Sequence, residues 1–310
     1  MILNKPCVKL QKQFRKNNSP KKATARISTG SWKVKMRLNV NSAAKDKKNT
    51  IFATTGGKEF NPKLPAIIFL HCAGADHSIW YLQTRYFAYH GYSILAVDFP
   101  GHGRSEGEFI NSIEEMADWI PELISAAGLE RASLVGHSMG ALVALECAAR
   151  FSEIVSSLCL IGSAAKMPVH PFLLDASLKG DLLAFDLITS WEHGPTGHFG
   201  NPPVPGMSLL GGAQSLLNSS PNGALGVDLV ACNNYHNGMN AASKISCPVL
   251  CLSGSQDKMS PSFEGKKLAE TIPDAKFHII EDCGHMVMLE KADECLRMLK
   301  EHFQSSLNLN

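Results

Sequence analysis

The chain has 310 residues, of which 45% are hydrophobic and 19% charged. That suffices for one large α/β domain with a buried core, and it excludes a mostly disordered chain. The net charge of +2 conceals an asymmetry: residues 1–48 hold 14 Lys and Arg against one acid, Asp46, while the remainder holds 16 basic and 27 acidic groups. The basic stretch has no aromatic platform and no recognisable motif, so no nucleic-acid partner is expected. No apolar run reaches about eighteen residues, so stable membrane insertion is not expected. Residues 1–10 lack the apolar centre of a secretory signal. The nine cysteines are odd in number and show no CxxC pairing, which points to free thiols in a reducing compartment, the cytoplasm. Cys147, Cys159 and Cys251 lie in apolar stretches and read as small buried hydrophobes.

In chain order, residues 1–36 form a basic, acid-poor arm expected to be disordered. Three explanations stay open for it: an organelle-targeting peptide, a surface-binding tail, or, the preferred one, a start at Met36 that leaves the arm outside the natural protein. Arg37–Val40 and Thr50–Thr54 read as opening antiparallel strands. Ala66–Leu70, Ser93–Val97, Ala132–Val135, Val155–Ile161, Val249–Leu252 and Ala275–Ile280 are short apolar runs of strand length. Strands buried on both faces are what a helix-covered parallel sheet requires. Helical patterns lie between them. Ile113, Met116, Ala117, Ile120, Leu123 and Ile124 share one face, with Pro121 expected to kink or break that helix. Ala141–Arg150, Phe263–Thr271 and Ala292–Phe303 also read as helices. The alternation predicts an α/β fold with a doubly wound, mostly parallel sheet. Residues 163–243, rich in proline and short helical patterns, break the rhythm and read as an inserted helical cap. The core is then residues 37–162 and 244–310.

Gly136-His137-Ser138-Met139-Gly140 is a G-x-S-x-G segment that follows a strand and opens a helix. A sharp strand-to-helix turn strains and exposes the serine, glycines permit close backbone contact, and the helix N-terminus faces developing negative charge. Ser138 is therefore the candidate nucleophile, and it needs a base. His285, in the loop after the last strand run, is the candidate. His71, His102 and His137 belong to neighbouring loops, and His278 lies within a strand as a structural residue. Asp257, just past Val249–Leu252, is the candidate acid that orients the imidazole. Asp282 is its rival but would have to fold back on His285. Two backbone donors are needed for an oxyanion: the Met139 amide and, from His71-Cys72-Ala73-Gly74-Ala75, the Ala73 amide, with Cys72 as the alternative. The glycine-rich Asp98–Ser105 segment is given a structural role. His193 and His198 are not assigned to a metal.

These segments together resemble the α/β-hydrolase superfamily over about residues 50–303: an HxxG loop, a D-x-P-G-H-G-x-S loop, GHSMG, SGxxD and GH in family order. The resemblance is greatest to the branch of small bacterial esterases, C–C bond hydrolases and cofactor-free haloperoxidase-like proteins. It implies Ser138, Asp257 and His285 as a triad, Met139 and Ala73 as oxyanion donors, no cofactor, and a lid over the pocket. One departure is Cys72, where the family usually has glycine. A side chain there is expected to alter the loop or crowd the oxyanion site. Serine at the elbow argues against epoxide or haloalkane hydrolysis. The expected activity is hydrolysis of a small-molecule carboxylic ester with an apolar acyl group. Alternatives are C–C hydrolysis, thioester hydrolysis, acyl transfer, or small-molecule binding with vestigial catalysis. Met167, Phe172, Leu173, Leu174, Phe185, Trp191, Phe199 and Met207 are available from the cap, most of them as its own core. Trp191, Phe172 and Met286 are the candidate substrate contacts.

Overall fold

The computed structural model describes residues 35–41, 48–199, 206 and 208–306, the Phe199 side chain excepted. The basic arm up to residue 34 and Met207 lie outside the described residues. Strands β1 (Lys35–Asn41) and β2 (Lys48–Thr54) open the fold, followed by β3 (Ala66–Leu70), a 3-10 turn at His77–Trp80, α1 (Tyr81–Ala88) and β4 (Ser93–Val97). Then come α2 (Ile113–Ala126), β5 (Ala132–His137), α3 (Met139–Arg150) and β6 (Val155–Ile161). Helices α4 (Pro171–Leu178), α5 (Leu183–Glu192), α6 (Pro195–Phe199), α7 (Leu209–Ser219), α8 (Ala224–Asn234) and α9 (Gly238–Ala242) are inserted before the sheet resumes. It resumes with β7 (Val249–Gly254), α10 (Ser262–Thr271), β8 (Lys276–Ile280), α11 (Val287–Glu290) and α12 (Ala292–Ser306).

The strands form one sheet in the order β1-β2-β4-β3-β5-β6-β7-β8. β1 pairs antiparallel with β2, and β2 with β4; every other pairing is parallel. This is the doubly wound, mostly parallel sheet that the alternating pattern predicts. Side chains alternate between faces along each strand. Ile68 and Leu70 of β3 join a core with Met116, Ile120, Leu142 and Leu145 of α2 and α3. Ile67 and Phe69 point the other way, into a core with Trp80, Phe87 and Phe303. The apolar runs of β3, β4 and β5 are buried throughout for this reason. Strand β8 departs from the expectation of burial on both faces: Lys276, His278 and Ile279 are exposed, as an edge position allows.

Pro121 does not break α2. A proline inside a helix removes one hydrogen bond and costs about 3 kcal/mol or more. The stripe Ile113, Met116, Ile120, Leu123 and Ile124 is fully buried against the sheet, and its apolar burial outweighs that cost. The start of α2 is also fixed locally: the Ser112 hydroxyl accepts the Glu115 N–H at 3.2 Å, with Glu114 and Glu115 in the first turn. The inserted helices carry a small core of their own, built from Leu173, Ala176, Ala184, Ile188, Leu217, Leu225 and Leu229. Among the described residues no helix is long and apolar enough to cross a membrane.

The parallel strands all point the same way, so the loops after β3, β5, β7 and β8 gather at one edge of the sheet.

Candidate active site

Ser138 sits between β5 and α3 with φ 54° and ψ −116°, a left-handed, sparsely populated backbone state that costs about 1–3 kcal/mol and persists only where its surroundings enforce it. They do. The Ser138 N–H donates to the Ile161 carbonyl at 3.0 Å, and the Ser138 carbonyl accepts from Ala141 and Leu142 as the helix begins. The flanking glycines are steric necessities. A Cβ on Gly136 would lie 2.2 Å from the Gly140 carbonyl oxygen, and one on Gly140 would lie 2.4 Å from that of Leu70.

His285 follows β8, and its Nδ1 donates to Asp257 Oδ2 at 2.7 Å. The far nitrogen, Nε2, is buried and has no hydrogen-bond partner. Asp257 is held in turn: Oδ1 accepts the N–H groups of Met259 and Ser260, both at 2.8 Å, and Oδ2 accepts the Ser260 hydroxyl at 3.1 Å. Burial favours neutral Asp257, but the His285 charge and hydrogen bond, with the Ser260 and Met259 amides, leave its pKa below the ordinary value. Burial likewise opposes charge on His285, yet Asp257, then Glu192 and Glu290, leave its pKa raised. Asp282, the rival acid, is exposed, and the carboxylate bonded to His285 Nδ1 is that of Asp257.

The sequence reading missed what locks this loop. His137 Nε2 donates to the His285 carbonyl at 3.0 Å, and the two rings lie 4.6 Å apart. Burial and the neighbouring His285 hold the His137 pKa well below the usual value, so no second cation competes there. The Glu192 carbonyl accepts the His285 and Met286 N–H groups at 2.7 and 3.2 Å. The Glu290 carboxylate accepts from Gly194 at 2.9 Å and Gly284 at 3.1 Å. The end of α5 is thereby fastened to the loop that carries His285.

The loop after β3 is tied down with equal care. His71 Nδ1 donates to the Cys72 carbonyl at 2.8 Å, and its Nε2 accepts the Phe99 N–H at 3.1 Å. This ring is neutral, its pKa pushed down to about 4 by burial and by His102. Asp228, fully buried in α8, accepts the Gly74 N–H at 2.8 Å and His102 Nε2 at 2.9 Å through one oxygen. His102 Nδ1 meets the Pro100 carbonyl at 3.1 Å. A carbonyl and a carboxylate only accept, so both nitrogens donate and His102 is the imidazolium. Its pKa is raised: burial opposes the charge, but Asp228 and the Pro100 carbonyl outweigh it. Asp98 is a framework residue as expected, accepting from the His77 N–H and ring and from the Arg104 N–H. Asp76, His77 and Asp98 bring ligand atoms within 4.8 Å of one another, but those hydrogen bonds already occupy Asp98. His193 and His198 each bond back to a carbonyl of α5. Asp228 does have a sequence signal: it is the single charged residue in the largely apolar helical stretch Ala224–Asn234.

Ser138 and His285 line one cavity of about 130 Å³ with Cys72, Ala73, Trp191 and Glu192. Met286 lines a second cavity of about 220 Å³, which shares Cys72, Ala73 and Glu192 with the first. Phe172 differs from expectation: it is 51% exposed near the start of α4 and lines neither cavity, whereas Leu173 of the same helix turns inward. Met139 is buried as the first residue of α3. Ala73 lines both cavities, and the next amide, of Gly74, is already taken by Asp228. Cys72 lies outside the left-handed region, so its side chain brings no such backbone strain. Burial and the nearby Glu192 charge hold its thiol protonated.

Comparison with known proteins agrees with this fold. The chain is 27% identical over 269 residues to a 2-hydroxy-6-oxononadienedioate/2-hydroxy-6-oxononatrienedioate hydrolase of Paraburkholderia phymatum, covering 79% of this chain and 87% of that protein. It is 26% identical over 255 residues to a pimeloyl-[acyl-carrier protein] methyl ester esterase of Aromatoleum aromaticum, covering 76% and 97%. Against the dihydrolipoyllysine-residue acetyltransferase component of the acetoin cleaving system of Cupriavidus necator it is 25% identical over 76% of this chain, but it spans only 63% of that protein. Among solved structures, the enol-lactonase of Burkholderia xenovorans LB400 superposes with a TM-score of 0.76 at 20% identity, over 86% of this chain and 99% of that one; the likeness is one of fold. The model of the alpha/beta hydrolase family matches residues 67–298, and the chain belongs to that family.

Proposed function

We propose that the chain is a serine hydrolase of carboxylic esters with a small apolar acyl group, working through an acyl-enzyme on Ser138. One observation carries the reading: His285, oriented by Asp257 at 2.7 Å, keeps a buried, unpartnered Nε2 in the same cavity as Ser138. That nitrogen is the base. It takes the Ser138 proton as Oγ adds to the ester carbonyl, and Asp257 holds the imidazolium that forms. The Met139 and Ala73 amides stabilise the oxyanion. The imidazolium then protonates the departing alcohol, and neutral His285 deprotonates a water that releases the acid. The helices of residues 163–243 act as a lid, with Trp191 and Met286 as substrate contacts. Eight cysteines of the described residues are free, which fits a reducing cytoplasm.

A relative named as a 2-hydroxy-6-oxononadienedioate/2-hydroxy-6-oxononatrienedioate hydrolase supports a second reading in the same site, cleavage of a C–C bond next to a carbonyl. Turnover of p-nitrophenyl butyrate without turnover of a vinylogous diketone favours the ester; the reverse favours C–C cleavage. The primary test is intact mass after fluorophosphonate treatment. One adduct, lost together with ester turnover in Ser138→Ala, is expected. A folded wild type that takes no adduct overturns the reading.

A further inference from the structure

Two cavities abut at the candidate site. The smaller holds Ser138 and His285, and the larger is walled by Ala75, Ile79, Leu209, Leu216 and Leu289 beside Met286. Cys72, Ala73 and Glu192 line both, and Glu192 is the one carboxyl lining either among the described residues. Glu192 is 8% exposed, and among the described residues no hydrogen bond reaches its side chain. The nearest cation-capable group is its neighbour His193, with Nδ1 3.7 Å from Oε1. That nitrogen instead donates to the Thr189 carbonyl at 2.9 Å, and burial pushes the ring down to about 4, so it is neutral. The Glu192 backbone is pinned by His285 and Met286 at 2.7 and 3.2 Å. Its side chain keeps 11% exposure, so the carboxyl faces the cavities with no protein partner and is open to a ligand. A carboxyl rigidly placed at the junction of two apolar cavities has a ready explanation in a ligand.

We propose that Glu192 is the polar recognition group for substrate. It hydrogen-bonds an uncharged donor, a hydroxyl, carried close to the scissile carbonyl on a chain whose apolar ends fill the two cavities. This rests on the serine-hydrolase reading of the same site. The groups that bear on Glu192 select that chemistry: His285 from the loop after β8, Glu290 from α11, His193 beside it, and Cys72 from the oxyanion loop. A substrate carboxylate there meets Glu192 and Glu290. A substrate ammonium opposes the imidazolium that forms on His285. Burial, offset by His285 and reinforced by Glu290, pushes the Glu192 carboxyl up to about 7, so both of its forms occur near neutrality. A hydroxyl donates to the ionised form and accepts from the protonated one, so it serves both.

The test compares wild type, Glu192→Gln and Glu192→Leu on p-nitrophenyl butyrate, 3-hydroxybutyrate and hemisuccinate, with fluorophosphonate labelling of each protein as the check on a competent site. Relative to butyrate, kcat/KM for the hydroxy ester falls about tenfold in the Leu variant and stays within about threefold in the Gln variant, mostly through KM. Relative to butyrate, the hemisuccinate gains about tenfold in both variants as the opposing charge is removed. A Leu variant that labels normally but leaves the hydroxy-ester ratio unmoved overturns the proposal. If the Leu variant does not label, an unmoved hemisuccinate ratio in the Gln variant overturns it. A wild type that takes no adduct removes the serine-hydrolase reading and this inference with it.

Discussion

Among the described residues are two buried aspartate–histidine pairs built almost alike. Asp257 holds His285 at 2.7 Å, and Asp228 holds His102 at 2.9 Å. All four side chains are buried, and both histidines have raised pKa values. They differ at the other ring nitrogen. His102 spends its second nitrogen on the Pro100 carbonyl, while the second nitrogen of His285 is unpartnered beside Ser138. A histidine with both nitrogens donating has no lone pair for a substrate proton; it is a fixed cation that ties its own loop to α8, whose Asp228 also holds the Gly74 N–H. Carboxylate pairing and a shifted pKa therefore do not mark a base. The free nitrogen in a cavity does.

The sharpest break in this comparison comes from the two histidines. On the proposed mechanism His285→Gln removes the base, and kcat is expected to fall about 10⁴- to 10⁶-fold. His102→Gln leaves the Ser138–His285–Asp257 relay intact, so turnover persists at a level reduced about 10- to 100-fold by a loosened oxyanion loop. Equal losses from both would erase the distinction. The aspartates follow. Asp257→Asn is expected to cost about 10³- to 10⁴-fold in kcat. Asp228→Asn, whose target is the Gly74 amide, is expected to cost about 10-fold and to slow fluorophosphonate capture in proportion. Steady-state kinetics alongside the capture rate separate the two.

Smaller in effect is the pH profile. On the proposed mechanism neutral His285 is the working form, so kcat/KM is expected to rise as pH passes through its pKa. That pKa is raised by Asp257, Glu192 and Glu290 against burial, so the acid limb is expected above the ordinary histidine value of about 6.5. In Asp257→Asn the residual activity keeps a limb shifted to lower pH. A limb below the ordinary value in wild type would contradict the charge environment described for His285.

The sheet and the turn that carries Ser138 were legible because each has a short-range signature. Apolar pentamers such as Ala66–Leu70, bounded by turn residues and repeated between helical patterns, read as strands buried on both faces, and Gly136 and Gly140 mark a turn where a side chain would strike backbone. Pro121 misled because local propensity is a weaker term than a buried stripe five residues wide. Phe172 misled because composition says that an aromatic is present, not which way a short helix turns it. Asp228, Glu192 and Glu290 were out of reach for a different reason. Asp228 meets Gly74 across 154 positions of sequence, and Glu290 meets Gly194 across 96. An acid in an apolar helix announces that something must satisfy it, but only the fold says what.

The smallest effect tests the cation at His102 directly. A histidine whose folded pKa is raised stabilises the fold fully below its unfolded value of about 6.5, and this contribution is lost as pH rises through the folded pKa. Replacing the carboxylate of Asp228 by an amide leaves the ring a weaker partner, at a cost of about 3 kcal/mol while His102 is charged. Denaturation midpoints of wild type and Asp228→Asn should therefore lie furthest apart below about pH 6.5 and converge as pH rises through the raised pKa of His102. The Asp257–His285 pair is present in both proteins, so it cancels from the difference. A separation that stays constant across that range would mean that His102 is already neutral in the native state. One of its two nitrogens would then be an acceptor facing an acceptor, and the contrast with His285 would have to be rebuilt on the Gly74 contact alone.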